Sequence, residues 1–178
     1  SDAGMPSICD PGEKLVNVAR TNGINIVCIP GPCAAVTALV SSGLPSSKFT
    51  FEGFLPKKKS EREKILLEIS ENNKTTILFE SPNRIKNLLD ELKEYVGGER
   101  KIHISRELTK KFEENIGGDI NKIITHFKEK DVLGEITIVI KGKETNEKNI
   151  GINEFELKKE LNGLINAGLS LSQASKYL

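Results

Sequence analysis

From Phe49 to Gly142 the sequence alternates between short β-branched runs and longer stretches with a helical apolar stripe. That alternation restricts the chain more than any other feature, because it demands a layered α/β fold with a sheet between helices. The strand candidates are "FTFEGF", "TTILFE", "KIHIS" and "EITIVI". Between them, Ser60 and Glu63 form a capping box ahead of Ile65, Leu66 and Ile69. Ser81 and Pro82 open a helix striped by Ile85, Leu88, Leu89, Leu92 and Val96 and closed by Gly97. Asp119 starts a third, carrying Ile120, Ile123, Ile124 and Phe127.

Residues 1–45 obey a different count. Asp10, Pro11 and Glu13 read as N-cap, first helical position and capping partner, with Leu15, Val16 and Ala19 as a short stripe and Gly23 as the stop. "INIVCIP" reads as a buried strand, and "GPCAAVTALVSSGLP" as a helix that packs closely through small residues. One strand makes no sheet, and such a segment buries too little to stand alone. The expectation is therefore the end of an N-terminal α/β domain over 1–45, whose earlier strands are missing. A near-complete second α/β domain over 46–143 and a linker with the start of a helical extension over 144–178 follow.

In that last stretch "KETNEKN" is a polar linker. Asn153 and Glu156 open a helix, Gly168 breaks it, and Ser170 with Gln173 opens another. The second helix has almost no basic residues to meet phosphates, which favours a helical cap over a DNA-reading helix-turn-helix.

With a net charge of +1, any polyanion must be held by local patches. No apolar run is long enough to span a bilayer and no signal peptide is visible, so a cytoplasmic protein is expected. Cys9, Cys28 and Cys33 lack metal spacing and read as reduced thiols. His103 and His126 lack a second ligand at the right distance in sequence, and both read as structural; no metal site is expected.

The chemistry concentrates at strand ends, where open α/β sheets hold ligands. "SDAG" offers clustered backbone N–H groups, one carboxylate and a Gly that admits close approach. "PGPCAA" follows a strand and opens a helix with a low wall. "FESPNR" places Glu80 at a strand end and Arg84 one turn later. "SRELTKK" puts Arg106, Glu107, Thr109 and Lys110 where another strand stops. "LPKKKSERE" gathers Lys57, Lys58 and Lys59, as a phosphate contact or for solubility.

Taken in order and at compatible spacing, "SDAGMPSICDPG", "PGPCAAVTALVSSGLP", "FEGFLPKK", "FESPNR", "SRELTKKFEE" and "GEITIVI" resemble the tetrapyrrole methylase superfamily. Within it they are most similar to the enzymes that 2′-O-methylate a cytidine ribose of small-subunit ribosomal RNA. The resemblance spans about residues 1–142. It implies an S-adenosylmethionine (SAM) enzyme with SAM between two α/β domains, contacted by Asp2, Ala3 and Gly4, by Pro30, Gly31, Cys33, Ala34 and Ala35, and by Phe79 and Glu80. Met5 and Cys9 depart from the Thr and Ser usual there. A base near the ribose 2′-OH would help, and Glu80, Glu107 and Lys110 are candidates by position. RNA phosphates would meet Lys57, Lys58, Lys59, Arg84, Arg106, Lys110 and Lys111. The resemblance also implies a homodimer, and the apolar, small-residue stretch Ala34–Leu44 reads as a buried surface for it. The rival readings are a tetrapyrrole or diphthine-type methyltransferase and a fragment inactive on its own.

Overall fold

The computed structural model describes residues 4–144 and 161–174. Two compact units divide between Lys143 and Glu144. The first holds helices α1 (Glu13–Thr21), α2 (Ala34–Ser42), α3 (Lys59–Glu71), α4 (Ile85–Val96) and α5 (Ile120–Phe127). Its strands are β1 (Phe49–Phe54), β2 (Thr75–Glu80), β3 (Lys101–Arg106), β4 (Glu114–Asp119) and β5 (Ile136–Ile140). They form one sheet in the order β1-β2-β5-β3-β4. β1 and β2 are parallel, whereas the β2/β5, β5/β3 and β3/β4 pairs are antiparallel.

Alternation along the strands sorts the side chains between two faces. Leu78, Ile102, Ile104, Ile136, Ile138 and Ile140 meet Leu66 and Ile69 of α3, Leu88, Leu89 and Leu92 of α4, and Ile123 and Phe127 of α5 in the main core. On the opposite face Ile77 and Val139 pack against Ala35, Ala38 and Leu39 of α2. The small residues of α2 let it lie close to the sheet. Much of the Ala34–Leu44 surface considered for a dimer is thus turned onto the chain's own strands. Val36 and Val40 remain exposed.

The four anticipated strands of the sheet are present. β4 was not anticipated: "ENIGGD" has little strand propensity, and pairing with β3, Ile116 opposite Ile104, recruits it. The buried strand expected at "INIVCIP" is corrected. Residues 24–30 belong to no strand, and Val27 and Ile29 are 76% and 81% exposed. β-Propensity without a neighbouring strand supplies no ladder, and α1 likewise buries none of its residues.

Three helix starts also shift. Cys9 (φ 55°) and Gly12 turn the chain back on itself, so Asp10 and Pro11 lie in a turn and α1 begins at Glu13. α3 begins after Lys58, which leaves Ser60 inside the helix without a capping role. The Ser81 carbonyl accepts from the Arg84 and Ile85 amides, a turn that delays α4 to Ile85. Asp119 caps α5 as expected, its carboxylate accepting from the Lys122 amide at 2.8 Å.

In the second unit residues 161–166 are helical, and Gly168 follows them. The Ser170–Gln173 box is formed: the Ser170 amide donates to Gln173 Oε1 at 3.0 Å and the Gln173 amide to Ser170 Oγ at 3.3 Å. The helix expected from Asn153 and Glu156 lies outside the described residues.

Candidate active site at the strand ends

The carboxyl ends of the parallel strands β1 and β2 and the start of β5 surround a cavity of about 360 Å³. β1 supplies Phe54; β2 and the turn after it supply Phe79, Glu80, Ser81 and Pro82. Gly134 and Glu135 enter from the segment before β5, Ile136 and Thr137 from β5 itself, Ala34 from the first turn of α2, and Cys9 from the opening loop. Phe79 packs beside Phe51 and Phe54, with ring centres 5.0 and 5.7 Å away, so one wall is aromatic. A register shift between Phe51 and Gly53 bends β1 just before Phe54. The positive end of α2 lies at Ala34, next to the cavity.

The opening loop joins this site, as the turn-rich sequence suggested. The Met5 amide donates to the Pro32 carbonyl at 2.8 Å, tying Gly4 and Met5 to "PGPC". A Cβ on Gly4 would stand 2.5 Å from that carbonyl oxygen, and Gly31 lies against the Gly4 backbone. Only glycine permits so close an approach of the two loops. Pro30 is exposed, Cys33 is half-buried at the start of α2, and Ala35 is buried beneath it. Asp2 and Ala3 lie outside the described residues.

Glu80 is fully enclosed and its carboxylate is engaged. Oε1 accepts from the Ser81 amide at 2.8 Å and lies 3.1 Å from Arg84 Nε, while Arg62 Nη1 stands 3.8 Å from Oε2. Oε2 has no hydrogen-bond partner. Arg84 also donates to the Leu55 carbonyl at 2.9 Å, and Arg62 pairs with Glu91 at 2.6 Å. Glu80 therefore anchors the turn that shapes the cavity floor. The Arg84 guanidinium, considered above as an RNA contact, works inward.

The "RELTK" loop is bound to the cavity wall. Glu107 donates its amide to the Glu135 carbonyl at 2.9 Å, and its Oε1 accepts from the Glu135 amide at 2.9 Å. Lys110 Nζ bridges Glu107 Oε1 at 3.0 Å and Glu135 Oε2 at 3.1 Å. The backbone bond from Glu135, then Lys110, hold the Glu107 carboxyl below its ordinary pKa. Hydrogen bonds to Glu107 and Glu135 raise that of Lys110. A carboxylate made less basic and an ammonium made less acidic are poor proton acceptors near neutral pH. In the structure this pair ties the loop to the cavity wall at Glu135. Gly134, with φ 91°, fits only because it lacks a Cβ, which would fall 2.4 Å from Glu107 Cδ.

The remaining sequence candidates are dispersed. Lys58 and Lys59 pair with Glu61 and Glu63 on exposed surface, and Lys57 is exposed. Arg106 binds Glu114 at 3.0 Å and the Leu133 carbonyl at 3.1 Å. Lys111 is exposed beside Phe112. His103 is buried on the α2 face, hydrogen-bonded to Asn115; His126 pairs with Glu114. Among the described residues no group of three or more His, Cys, Asp or Glu could hold a metal ion, and no helix is long and apolar enough to cross a membrane. Sequence reasoning assigned no site role to Phe54, Gly134 or Thr137 and read Glu135 as an edge charge at a strand start; all four reach the site through strand adjacency. Their single signal was position next to a strand end.

A cavity at parallel strand ends, walled by the first turn of α2, the opening loop at Cys9 and the segment at Gly134, lies where open α/β sheets hold ligands. The family model of the tetrapyrrole (corrin/porphyrin) methylases matches residues 1–124, and the chain belongs to that family. It is 40% identical over 178 residues to "Ribosomal RNA small subunit methyltransferase I" of Synechocystis sp., covering 100% of this chain and 63% of that protein. The protein of the same name from Vibrio cholerae is 46% identical over 144 residues, 80% of this chain and 50% of that one. That of Thermotoga maritima is 44% identical over 144 residues, with coverage of 81% and 64%. The chain thus spans between half and just under two thirds of the length of these relatives.

Among solved structures, the methyltransferase CobJ superposes with a TM-score of 0.60 at 16% identity, covering 79% of this chain and 62% of CobJ. Cobalt precorrin-4 methyltransferase CbiF gives 0.58 at 13%, over 78% and 61% of the two chains. Uroporphyrin-III C-methyl transferase from Thermus thermophilus, complexed with S-adenosyl homocysteine, gives 0.51 at 15%, over 79% and 63%. These three share the fold.

Proposed function

We propose that this chain carries the cofactor- and substrate-facing part of a SAM-dependent methyltransferase that methylates the 2′-oxygen of a cytidine ribose in small-subunit ribosomal RNA. The observation that supports it is the convergence of Cys9, Ala34, Phe79 and Gly134 around one cavity, in a family of methylases whose relatives at 40–46% identity carry a ribosomal RNA name. The residues present fit SAM. Phe54 and Phe79 offer aromatic surface for adenine. The first turn of α2 offers amides and a positive end for the carboxylate. Gly4 and Gly31 let the opening loop pack against the turn before α2, beside Ala34 of the cavity wall. Bound SAM supplies a methyl group on a good leaving group, so the protein's main task is alignment. Glu80, Arg62 and Arg84 fix the floor, and Glu107 with Lys110 fixes the β5 side. A homodimer and a cytoplasmic location complete this reading.

The test is methyl transfer from radiolabelled SAM by the gene product that carries this sequence. Small-subunit particles and a porphyrinoid are offered in parallel, and the labelled RNA is mapped by its resistance to alkaline cleavage. The expected result is one alkali-resistant linkage beside a cytidine. Label on the porphyrinoid and none on RNA would overturn the reading in favour of a tetrapyrrole substrate.

A further inference from the structure

The loop joining β3 to β4 displays a group that its role in the cavity wall does not use. Glu107 and Thr109 both lie in the left-handed region, at φ 51° and 65°. Such strain persists where neighbours over-determine it. Here the Thr109 amide donates to Glu113 Oε2 at 2.7 Å, the Lys110 amide to the Glu107 carbonyl at 2.9 Å, and the Glu113 amide to the Lys110 carbonyl at 3.1 Å. The loop's acids are consumed internally. Glu107 is taken by Lys110, Glu113 by Thr109 and Asn115, and Glu114 by Arg106 and His126. What this internally hydrogen-bonded loop leaves uncovered is Phe112, 65% exposed, with the Lys111 ammonium 5.5 Å from its ring centre. Lys111 has no carboxylate partner among the described residues.

We infer that Phe112 and Lys111 form a single-nucleotide step for RNA, resting on the reading above. The ring stacks on an unpaired base and the ammonium meets the neighbouring phosphate. A lone exposed apolar side chain is ordinary. An exposed phenyl beside an ammonium with no carboxylate partner is different: it matches the flat face and the charge of one nucleotide. The step sits in the loop that Lys110 ties to Glu135 of the cavity wall. It would hold a base adjacent to the nucleotide being modified.

The experiment measures binding of a labelled single-stranded small-subunit RNA segment to the whole gene product by fluorescence anisotropy. Phe112→Ala and Phe112→Leu are expected to weaken binding roughly tenfold or more, as loss of one base–aromatic stack does, and Phe112→Tyr to stay within about threefold of wild type. Lys111→Ala should lower the salt slope of binding by about one. Unfolding midpoints and S-adenosylhomocysteine affinity should be unchanged in all four. Wild-type RNA affinity in Phe112→Ala would overturn the step while leaving the methylation reading intact. Phe112→Leu binding like wild type would reduce the ring to apolar bulk and overturn stacking. A wild-type protein that binds no RNA would sink the RNA reading and this step with it.

Discussion

On one face of the sheet Leu78, Ile104 and Ile138 lie under three helices, fully buried. On the other, Ile77 and Val139 meet the single helix α2, and their neighbours along the strands are His103, Ser105 and Thr137. There Ser105 Oγ donates to Asn115 Oδ1 at 2.7 Å, and the cavity opens at the strand ends beside Thr137. The first face is apolar and continuous, and it holds most of the buried area. The second mixes small, polar and apolar groups, and its residues run into the site. Folding stability and ligand geometry thus reside on opposite sides of five shared strands. A change on one side should be felt differently from a change on the other.

The largest effect should come from the helical face. Leu88→Ala, at a fully buried position, should cost about 4 kcal/mol in urea unfolding, against about 2 for Leu39→Ala on α2. Equal losses at the two positions would break the contrast between the faces.

A smaller loss is expected where the second face meets the cavity. Gly134→Ala forces a Cβ toward the Glu107 carboxyl at a left-handed φ and should cost about 2 kcal/mol. Its more telling consequence is on S-adenosylhomocysteine binding, expected to weaken by roughly tenfold or more as the wall moves. Leu88→Ala, assayed where it remains folded, should leave that affinity unchanged. Calorimetry on both variants would sharpen the division or erase it.

How much of this division could be read from residues alone differs between the faces. β-Branched runs marked β1, β2, β3 and β5, and the apolar stripe of α4 gave Leu88, Leu89 and Leu92 as core. β4 stayed hidden because Asn115, Gly117 and Gly118 carry no strand preference of their own; β3 imposes it. "INIVCIP" misled for the opposite reason, since preference is only half of a strand and a paired neighbour is the other half. At the site, Gly4, Gly31, Phe79 and Glu80 were visible as turn chemistry at strand ends. Phe54, Gly134 and Thr137 were not, because their membership depends on which strands lie side by side.

The smallest effect should appear in the pH dependence of folding. Burial holds the His103 imidazole below its ordinary pKa, against a weaker upward pull from Asn115. As pH falls through about 6.5 the unfolded chain takes up that proton first, so stability declines from there until the folded ring titrates too. His103→Gln should remove this decline. Glu107 and Asp119, held low by backbone bonds from Glu135 and Lys122, contribute above the carboxylate range, and their share is lost only at lower pH. Urea midpoints between pH 7 and 5 would separate the two windows. An unchanged slope in the variant would show that the imidazole is not strained by its surroundings.

The unladdered stretch from Ile24 to Ile29 has a practical corollary for handling the molecule. Six consecutive residues without charge, proline or glycine, with Val27 and Ile29 bare to water, form a sticky template for cross-β growth. Concentrated samples of this chain should therefore gel or precipitate by way of that stretch, and a lysine placed at Val27 is the gatekeeper that keeps them clear.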